Sequence, residues 1–266
     1  MSVSADHTIK IYDLRNDKVT TTLYSHSGPV NDVIYLRKSD IIATSSADSS
    51  VKLWSSKTFM LIRSFEAHEI WSQPLISLYD ENILVSGGGD EKIKLWDINT
   101  GKCLNVYDHH RKGVNGLTSL DDQSCFISYS YDNTMSLWDT RRNNVITTYK
   151  NDGDFFNKVL YVSDGDILIA GSQDGMIKAF TKQNLMSLIT KKAHIGACNA
   201  LEYFYDGKTM VSGGEEGVIK FWNYKSLEMG ESFQGHKESV QCLCYLNNSK
   251  GFLSGSVDKS VKIWES

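Results

Sequence analysis

The chain has 266 residues, of which 41% are hydrophobic and 23% are charged, with 20 glycines, 2 prolines and a formal net charge of -4. This composition predicts a folded globular protein and argues against disorder. The 28 basic and 32 acidic residues nearly balance. No overall positive field is available to attract phosphate backbones, so we expect no nucleic-acid partner.

The start of the chain and its apolar stretches bear on location. The first residues lack a basic segment followed by an apolar one, and the longest apolar stretches are only a few residues. We therefore expect no secretory signal and no membrane insertion, and a cytoplasmic or nuclear location.

Cysteine spacing bears on disulfides and metals. The five cysteines are an odd number without C-x-x-C spacing, which argues against a disulfide framework or a zinc knuckle. They are Cys103, Cys125, Cys198, Cys242 and Cys244. We expect them to be reduced side chains in the core.

Short β-branched segments separated by turns recur along the chain and predict strands rather than helices. Residues 4–13 hold the first segment, and residues 30–36, 41–45 and 51–54 follow. The stretch from Ser86 to Asp90 has three consecutive glycines between two apolar runs, which predicts a tight hairpin turn. Four strands, named a to d in chain order, fit one unit at roughly 72–78, 83–88, 93–97 and 102–107.

The sequence repeats itself every 42 residues without insertion, and such a period decides the architecture. An aromatic residue closes each copy, at Tyr12, Trp54, Trp96, Trp138, Phe180, Trp222 and Trp264. Six places earlier lies an acid, at Asp6, Asp48, Asp90, Asp132, Asp174, Glu216 and Asp258. A histidine recurs at His26, His68, His110, His194 and His236, with Asp152 in the remaining slot.

The repeat unit resembles that of the WD-repeat β-propeller family. The Gly-His pair is present at Gly235-His236, and the Trp-Asp pair at Trp96-Asp97 and Trp138-Asp139. The resemblance covers essentially the whole chain. It implies an all-β fold of four-stranded antiparallel blades, with seven motif copies in a single propeller domain over residues 1–266.

The two ends of the chain leave the number of blades open. Strand a is predicted six times and strand c seven times, and the resemblance implies that an N-terminal strand d completes the last blade. In one interpretation residues 1–25 are a partial first repeat of a seven-bladed ring, with about 25 to 30 upstream residues missing. In the other, residues 20–25 close a six-bladed ring formed by residues 26–266. The complete strand c motif at residues 4–13 favours seven blades.

A histidine, a hydroxyl and an acid that recur together suggest a catalytic triad, but a nucleophile needs one activated, exposed copy. This set recurs five times, each time beside a tryptophan whose indole N–H needs an acceptor when it is buried. The resemblance implies a structural hydrogen-bonded tetrad inside each blade. The tetrads are His26/Thr44/Asp48/Trp54, His68/Ser86/Asp90/Trp96, His110/Ser128/Asp132/Trp138, His194/Ser212/Glu216/Trp222 and His236/Ser254/Asp258/Trp264.

One repeat supports the single-network interpretation. Asp152 replaces the histidine, and the same repeat has Ala170 in the hydroxyl slot and Phe180 in the tryptophan slot. Joint loss is expected of one network, because a half-satisfied buried network costs more than an apolar one. We therefore expect no catalytic residues, no metal and no cofactor.

The period also aligns the rim of the central channel, where the resemblance implies that partners bind. Five residues past the histidine slot every position is an amide, which could bind a peptide backbone or satisfy its neighbours and channel water. The amides are Asn31, Gln73, Asn115, Asn157, Asn199 and Gln241.

Three aromatic residues, Trp71, Tyr131 and Phe155, also fall on rim positions of adjoining repeats. Aromatic residues often anchor interfaces, although core packing is the alternative. Arg111 lies in a basic loop at residues 109–112, which favours an acidic ligand unless the loop is simply solvated.

These features predict a non-catalytic scaffold that binds a protein or peptide on the channel rim, within a multiprotein complex or a larger chain. The segment Trp138-Asp139-Thr140-Arg141 gives an alternative. It is similar to a box in propellers that serve as substrate receptors of cullin-4 RING ubiquitin ligases, where the arginine faces the adaptor. Asp139 and Arg141 would then contact that adaptor, although Tyr129 departs from the box.

Overall fold

The computed structural model describes residues 1–16, 18–79, 81–122, 124–204, 208–246 and 251–265. Within these ranges the regular elements are 26 β-strands and one short 3₁₀ turn, Ser163–Gly165. The strands form seven antiparallel sheets, one for each sequence repeat. Because none of the described residues forms a long apolar helix, no helix able to cross a membrane is found among them.

The first compact unit comprises Met1–Asp132 and Asp139–Asn143. Its strands are β1 (Ser2–Val3), β2 (Thr8–Asp13), β3 (Lys18–Tyr24), β4 (Val30–Leu36), β5 (Ile41–Ser46), β6 (Ser50–Ser55), β7 (Leu61–Glu66), β8 (Ser72–Leu78), β9 (Ile83–Gly88), β10 (Lys92–Asp97), β11 (Cys103–Asp108), β12 (Val114–Ser119) and β13 (Cys125–Ser130). The sheets are β1-β2-β3, β4-β5-β6-β7 and β8-β9-β10-β11, and β12 pairs with β13.

The second unit comprises Asn133–Trp138 and Asn144–Ser266. It contains most of β14 (Thr134–Asp139), and then β15 (Asn144–Lys150), β16 (Phe156–Val162), β17 (Ile167–Ser172), β18 (Met176–Thr181), β19 (Ser187–Lys192), β20 (Cys198–Tyr203), β21 (Thr209–Gly214), β22 (Val218–Asn223), β23 (Glu228–Gln234), β24 (Val240–Leu246), β25 (Gly251–Ser256) and β26 (Val261–Glu265). Its sheets are β16-β17-β18-β19, β20-β21-β22-β23 and β24-β25-β26.

The pairing of β3 distinguishes the two interpretations of the blade number. This strand pairs with β2, with Tyr24 opposite Thr8 and Lys18 opposite Asp13, and β1 pairs on the other side of β2. Strands b, c and d of the first repeat therefore form a sheet of their own. The six-bladed alternative assigned residues 20–25 to the last repeat and is wrong, whereas the prediction of seven sheets is confirmed.

The core lies between neighbouring sheets, and the alternation along strand c explains why. Val51 and Leu53 of β6 are 0% and 1% exposed, and they pack with residues of the next sheet such as Leu84 and Trp96. Successive side chains of a strand point to opposite faces. Trp54 therefore lies on the other face, where it packs with buried residues of the first sheet. Buried β-branched and aromatic residues in this repeating pattern hold consecutive blades together.

Candidate functional site

The tetrad of the third repeat shows the geometry that the repeated polar residues adopt. The imidazole of His68 lies 2.8 Å from Asp90 through Nδ1 and 2.8 Å from the Ser86 hydroxyl through Nε2. The indole Nε1 of Trp96 donates to the same hydroxyl at 2.9 Å. The side chain of His68 is fully buried, so this short chain satisfies polar groups that water does not reach.

The same contacts recur in the other repeats that keep the histidine. Nδ1 lies 2.6 to 3.2 Å from the carboxylate, and Nε2 lies 2.6 to 2.8 Å from the hydroxyl. The acids in these repeats are Asp48, Asp132, Glu216 and Asp258. The indoles of Trp54, Trp222 and Trp264 donate to their hydroxyls at 2.7 to 3.0 Å. Trp138 belongs to the second unit, where it is buried.

The hydroxyl positions of the tetrads are closed to solvent. Each of these side chains is at most 1% exposed, like Ser86, and the residues are Thr44, Ser128, Ser212 and Ser254. Thr44 accepts from the Trp54 indole and bonds His26, so its oxygen is used twice within its own blade. Ser212 and Ser254 have the same two partners in their repeats. A hydroxyl that is buried and bonded in this way can act neither as an exposed nucleophile nor as a contact for a partner.

Burial and hydrogen bonding shift the protonation of these groups in opposite ways. Burial lowers the pKa of His26 and His194, although their carboxylate partners act against it. Burial alone would raise the pKa of Asp48, but hydrogen bonds from Ser50 and His26 lower it overall. The pair of His26 and Asp48 therefore favours a neutral imidazole beside an ionised carboxylate.

The fifth repeat fills the tetrad position with apolar groups. Phe180 is 0% exposed, and its ring centroid lies 4.8 Å from that of Tyr149 and 6.0 Å from that of Phe156. Ala170 is also fully buried, whereas Asp152 is exposed. The three substitutions therefore replace a polar cluster with aromatic packing.

The rim amides form hydrogen bonds, most of them to the next repeat. In the first unit, Asn31 donates to the Ser72 carbonyl at 2.8 Å, and Gln73 lies 3.2 Å from the Asn115 side-chain oxygen. In the second unit, Asn157 donates to Asn199 at 3.1 Å. Asn199 and Gln241 both donate to Ser239, at 2.8 and 2.9 Å. These bonds use part of the amides' hydrogen-bonding capacity, and most of them link consecutive repeats.

Trp71 lies on a shelf made by two glycines. A Cβ added to Gly89 would lie 2.5 Å from Cε2 of the indole, and one added to Gly113 would lie 2.6 Å from Cη2. The ring therefore spans from the b to c turn of its own repeat to the d to a loop of the next. Only glycine permits this close approach, and the indole remains partly exposed above the shelf.

Tyr131 borders the same shelf. Its ring stands edge-on to Trp71, with centroids 6.2 Å apart and an interplanar angle of 86°. Burial raises the pKa of Tyr131, while a hydrogen bond with Gln73 acts the other way. We call Trp71, Tyr131, Gly89 and Gly113 the Trp71 platform.

The indole N–H of Trp71 differs from those of the tetrads. Among the described residues no acceptor receives a hydrogen bond from Trp71 Nε1, and this nitrogen is not fully buried. It is therefore an accessible donor. A partly exposed aromatic face beside an accessible N–H can hold an apolar group and a carbonyl oxygen together.

The residues flanking the platform carry opposite charges. Glu69 and Glu91 are exposed beside Trp71 and Gly89, and Arg111 and Lys112 are exposed just before Gly113. The backbone N–H of Arg111 donates to Asp132 at 2.8 Å. Its guanidinium forms no hydrogen bond or ion pair with the described part of the chain. Ile70, 50% exposed, adds apolar surface.

Phe155 lies in the second unit, where it is partly buried and its carbonyl accepts a hydrogen bond from the Gln173 N–H at 3.0 Å. The structure thus brings Trp71 and Tyr131 together within the first unit. Phe155 stays a separate prediction.

Arg141 is engaged within its own turn. Its Nε and Nη2 atoms bind the two carboxylate oxygens of Asp139 at 3.0 and 3.1 Å, and Nη2 also lies 3.2 Å from Asp122. These bonds lower the pKa of Asp139. The Arg141 side chain is nevertheless 59% exposed, so it presents a charged group held in a fixed orientation.

The cysteines differ from their prediction as core residues. None of the five, all of which lie in the described ranges, forms a disulfide, but only Cys198 is fully buried, and Cys103, Cys242 and Cys244 are exposed. Among the residues that the structure describes, no cluster of three or more His, Cys, Asp or Glu side chains is placed to hold a metal ion.

The glycine shelf was missed by sequence reasoning. The sequence does contain a signal, because both glycines occupy aligned rim positions. Gly89 directly precedes the acid of the repeat that contains Trp71, and Gly113 occupies the position of Trp71 in the next repeat. The depth at which the indole lies could only come from the structure.

A family model described as "WD domain, G-beta repeat" matches residues 17–55, 59–97, 101–139, 185–223 and 228–265. These matches cover well over half of the chain, which therefore belongs to the WD40 repeat family. The predicted fold class, an all-β WD-repeat propeller with seven antiparallel blades, is confirmed. Proteins of this fold generally act as protein-interaction scaffolds and are typically not catalytic.

The unmatched interval between residues 139 and 185 holds the repeat with Ala170 and Phe180. The family model thus passes over the repeat that has lost its tetrad. No curated protein matches the chain.

Proposed function

We propose that this WD40 protein is a non-catalytic scaffold that binds a protein or peptide partner at the Trp71 platform. The observation on which the proposal depends is the accessible indole N–H of a tryptophan supported from beneath by Gly89 and Gly113. An extended segment could place an apolar side chain on the ring and a backbone carbonyl at Nε1. Tyr131 would close one side of that position.

The rim amides have a supporting role in this proposal. Gln73 is bonded to Asn115 and interacts with Tyr131, so it holds the border of the platform in place. The same amide could exchange one of these bonds for a peptide carbonyl. Asn31, Asn157, Asn199 and Gln241 remain candidate peptide contacts, and Phe155 remains a candidate anchor in the second unit.

Affinity purification with mass spectrometry tests the proposal, followed by direct binding of the purified partner. The Trp71→Ala variant is compared with wild type and with Ile62→Ala, a matched control on β7 whose side chain is 52% exposed away from the rim. We expect Trp71→Ala to weaken binding by at least about 2 kcal/mol, the typical effect of removing an anchor. Ile62→Ala should bind as wild type does. Partner sets and affinities that do not depend on Trp71 would contradict the proposal.

The second candidate function is that of substrate receptor in a cullin-4 RING ubiquitin ligase. Its support is the exposed guanidinium of Arg141, held by Asp139 and Asp122. If this function is correct, Arg141→Ala should abolish co-purification of the cullin-4 adaptor while circular dichroism shows that the fold stays intact. Absence of the adaptor from the wild-type purification would exclude this candidate.

A further inference from the structure

The indole of Trp71 has two chemically different ends. The pyrrole atoms Cε2 and Nε1 lie nearest to Gly89, and the benzene atoms Cη2 and Cζ2 lie nearest to Gly113. The N–H donor is therefore at the end of the platform that belongs to the third repeat. The six-membered ring reaches toward the loop of the fourth repeat.

The two ends of the platform also differ in charge. At the pyrrole end, Glu69 is 78% exposed, with its carboxylate 3.9 Å from the Lys92 ammonium. Glu91 is exposed in the same turn as Gly89 and has no side-chain partner among the residues described. Two carboxylates, Glu69 and Glu91, face the single ammonium of Lys92, so this end keeps a net negative charge, and an exposed pair at 3.9 Å is weak.

At the benzene end, Arg111 and Lys112 directly precede Gly113. Neither side chain forms a hydrogen bond or an ion pair with any part of the chain that the structure describes. Asp132, whose carboxylate contacts this loop, is committed to His110 and to the Arg111 backbone, and the exposed Asp108 is one acid against these two cations. This end therefore keeps a net positive charge.

We infer that the Trp71 platform selects an extended segment of mixed charge, an inference that rests on the proposed function. The segment places an apolar or aromatic side chain on the indole, a basic side chain toward Glu69 and Glu91, and an acidic side chain toward Arg111 and Lys112. Complementary charges at interfaces fix register and suppress wrong partners more than they add affinity. Extended chain advances about 3.3 Å per residue, so charges about two residues on either side of the apolar residue reach the two ends.

Three labelled synthetic peptides with the same central phenylalanine test this inference by fluorescence anisotropy. The mixed peptide is Lys-Lys-Gly-Phe-Gly-Glu-Glu, and the two others carry four lysines or four glutamates at the charged positions. We expect wild type to bind the mixed peptide about fivefold more tightly than either single-sign peptide at low salt, a difference that shrinks as salt is added.

Charge reversal at each end gives the sharper measurement. The double variant Arg111→Glu with Lys112→Glu makes both ends negative, so it should prefer the all-lysine peptide. The double variant Glu69→Lys with Glu91→Lys makes both ends positive, so it should prefer the all-glutamate peptide. All four side chains are exposed, and circular dichroism should show the same fold in both variants.

The outcomes separate this inference from the proposed function. Binding that is lost in Trp71→Ala, but shows no preference for the mixed peptide or no response to charge reversal, overturns the inference and leaves the platform as the binding site. Binding that is unchanged in Trp71→Ala overturns both. Failure of the mixed peptide to bind wild type at up to about 1 mM also overturns the inference, since a selective site should bind it at least that tightly.

Discussion

Removal of the His68 imidazole should destabilise the protein by about 2 to 4 kcal/mol. The ring is fully buried and bonded at both nitrogens, to Asp90 and to Ser86. Its loss leaves a buried hydroxyl and a nearly buried carboxylate each short of one partner, at about 1 to 3 kcal/mol per group. Asp90 keeps backbone donors from Glu69 and Lys92, which places the total in the lower half of the summed range.

Urea denaturation measures this change against a control that the chain itself supplies. His68→Ala is compared with Asp152→Ala, which alters the equivalent slot of the repeat without a tetrad. Asp152 is exposed, and substitutions at exposed positions usually stay within about 0.5 kcal/mol. Ser86→Ala is a second informative variant, because the hydroxyl serves both His68 and Trp96.

The comparison can refute the network argument. If His68→Ala and Asp152→Ala unfold at the same urea concentration, the buried hydrogen bonds do not contribute measurably. If Ser86→Ala costs less than His68→Ala by more than about 2 kcal/mol, the ring acts through packing and not through the shared hydroxyl.

Three further predictions concern the shelf, the pH dependence and the thiols. Gly113→Ala should displace the Trp71 ring and change its near-UV circular dichroism, whereas Gly230→Ala should not, because a Cβ there meets only the Phe221 carbonyl at 3.8 Å; equal spectra would contradict the shelf. Burial lowers the pKa of His26 and His194, so the unfolded chain binds more protons than the folded one below about pH 6.5. The urea concentration at the midpoint of unfolding should therefore fall between about pH 7 and about pH 5. A constant midpoint would refute this. A thiol reagent should label Cys103 in the native protein and Cys198 only after denaturation, because Cys198 is fully buried and burial raises its thiol pKa; native labelling of Cys198 would contradict its placement.

The parts of the structure that repeat were predictable, because spacing alone identifies them. The 42-residue period placed His68, Ser86 and Asp90 in one set before any geometry was known, and the hydrogen bonds join those residues. The number of sheets was harder to predict, because it depended on whether β3 pairs with β2 of its own repeat or with the last repeat. That choice is made by the pairing of β3 with β2, which the strand c motif at residues 4–13 favoured but did not decide.

The parts that do not repeat were less predictable. Arg141 was expected to face outward, but it also bonds Asp122, which lies 19 residues earlier. The aligned amides left open whether they bind a peptide or their neighbours, and their contacts differ, because Asn31 donates to a backbone carbonyl while Gln73 lies against a side-chain oxygen. Such differences depend on side-chain length, which the sequence gives, and on the local separation between strands, which packing sets.

The contrast between Trp71 and the tetrad tryptophans shows what a platform of this kind requires. A tetrad indole is buried and requires a hydroxyl, whereas Trp71 requires empty space beneath it, supplied by Gly89 and Gly113. A tryptophan at Ala197, the equivalent slot of the sixth repeat, would lack that space. Glu215 occupies the turn position there and accepts the Ala197 N–H at 3.0 Å. The site therefore depends on a combination of slots in adjoining repeats, so Gly89→Glu should abolish partner binding as effectively as removal of Trp71 itself, and unchanged binding in that variant would show that the shelf is not needed.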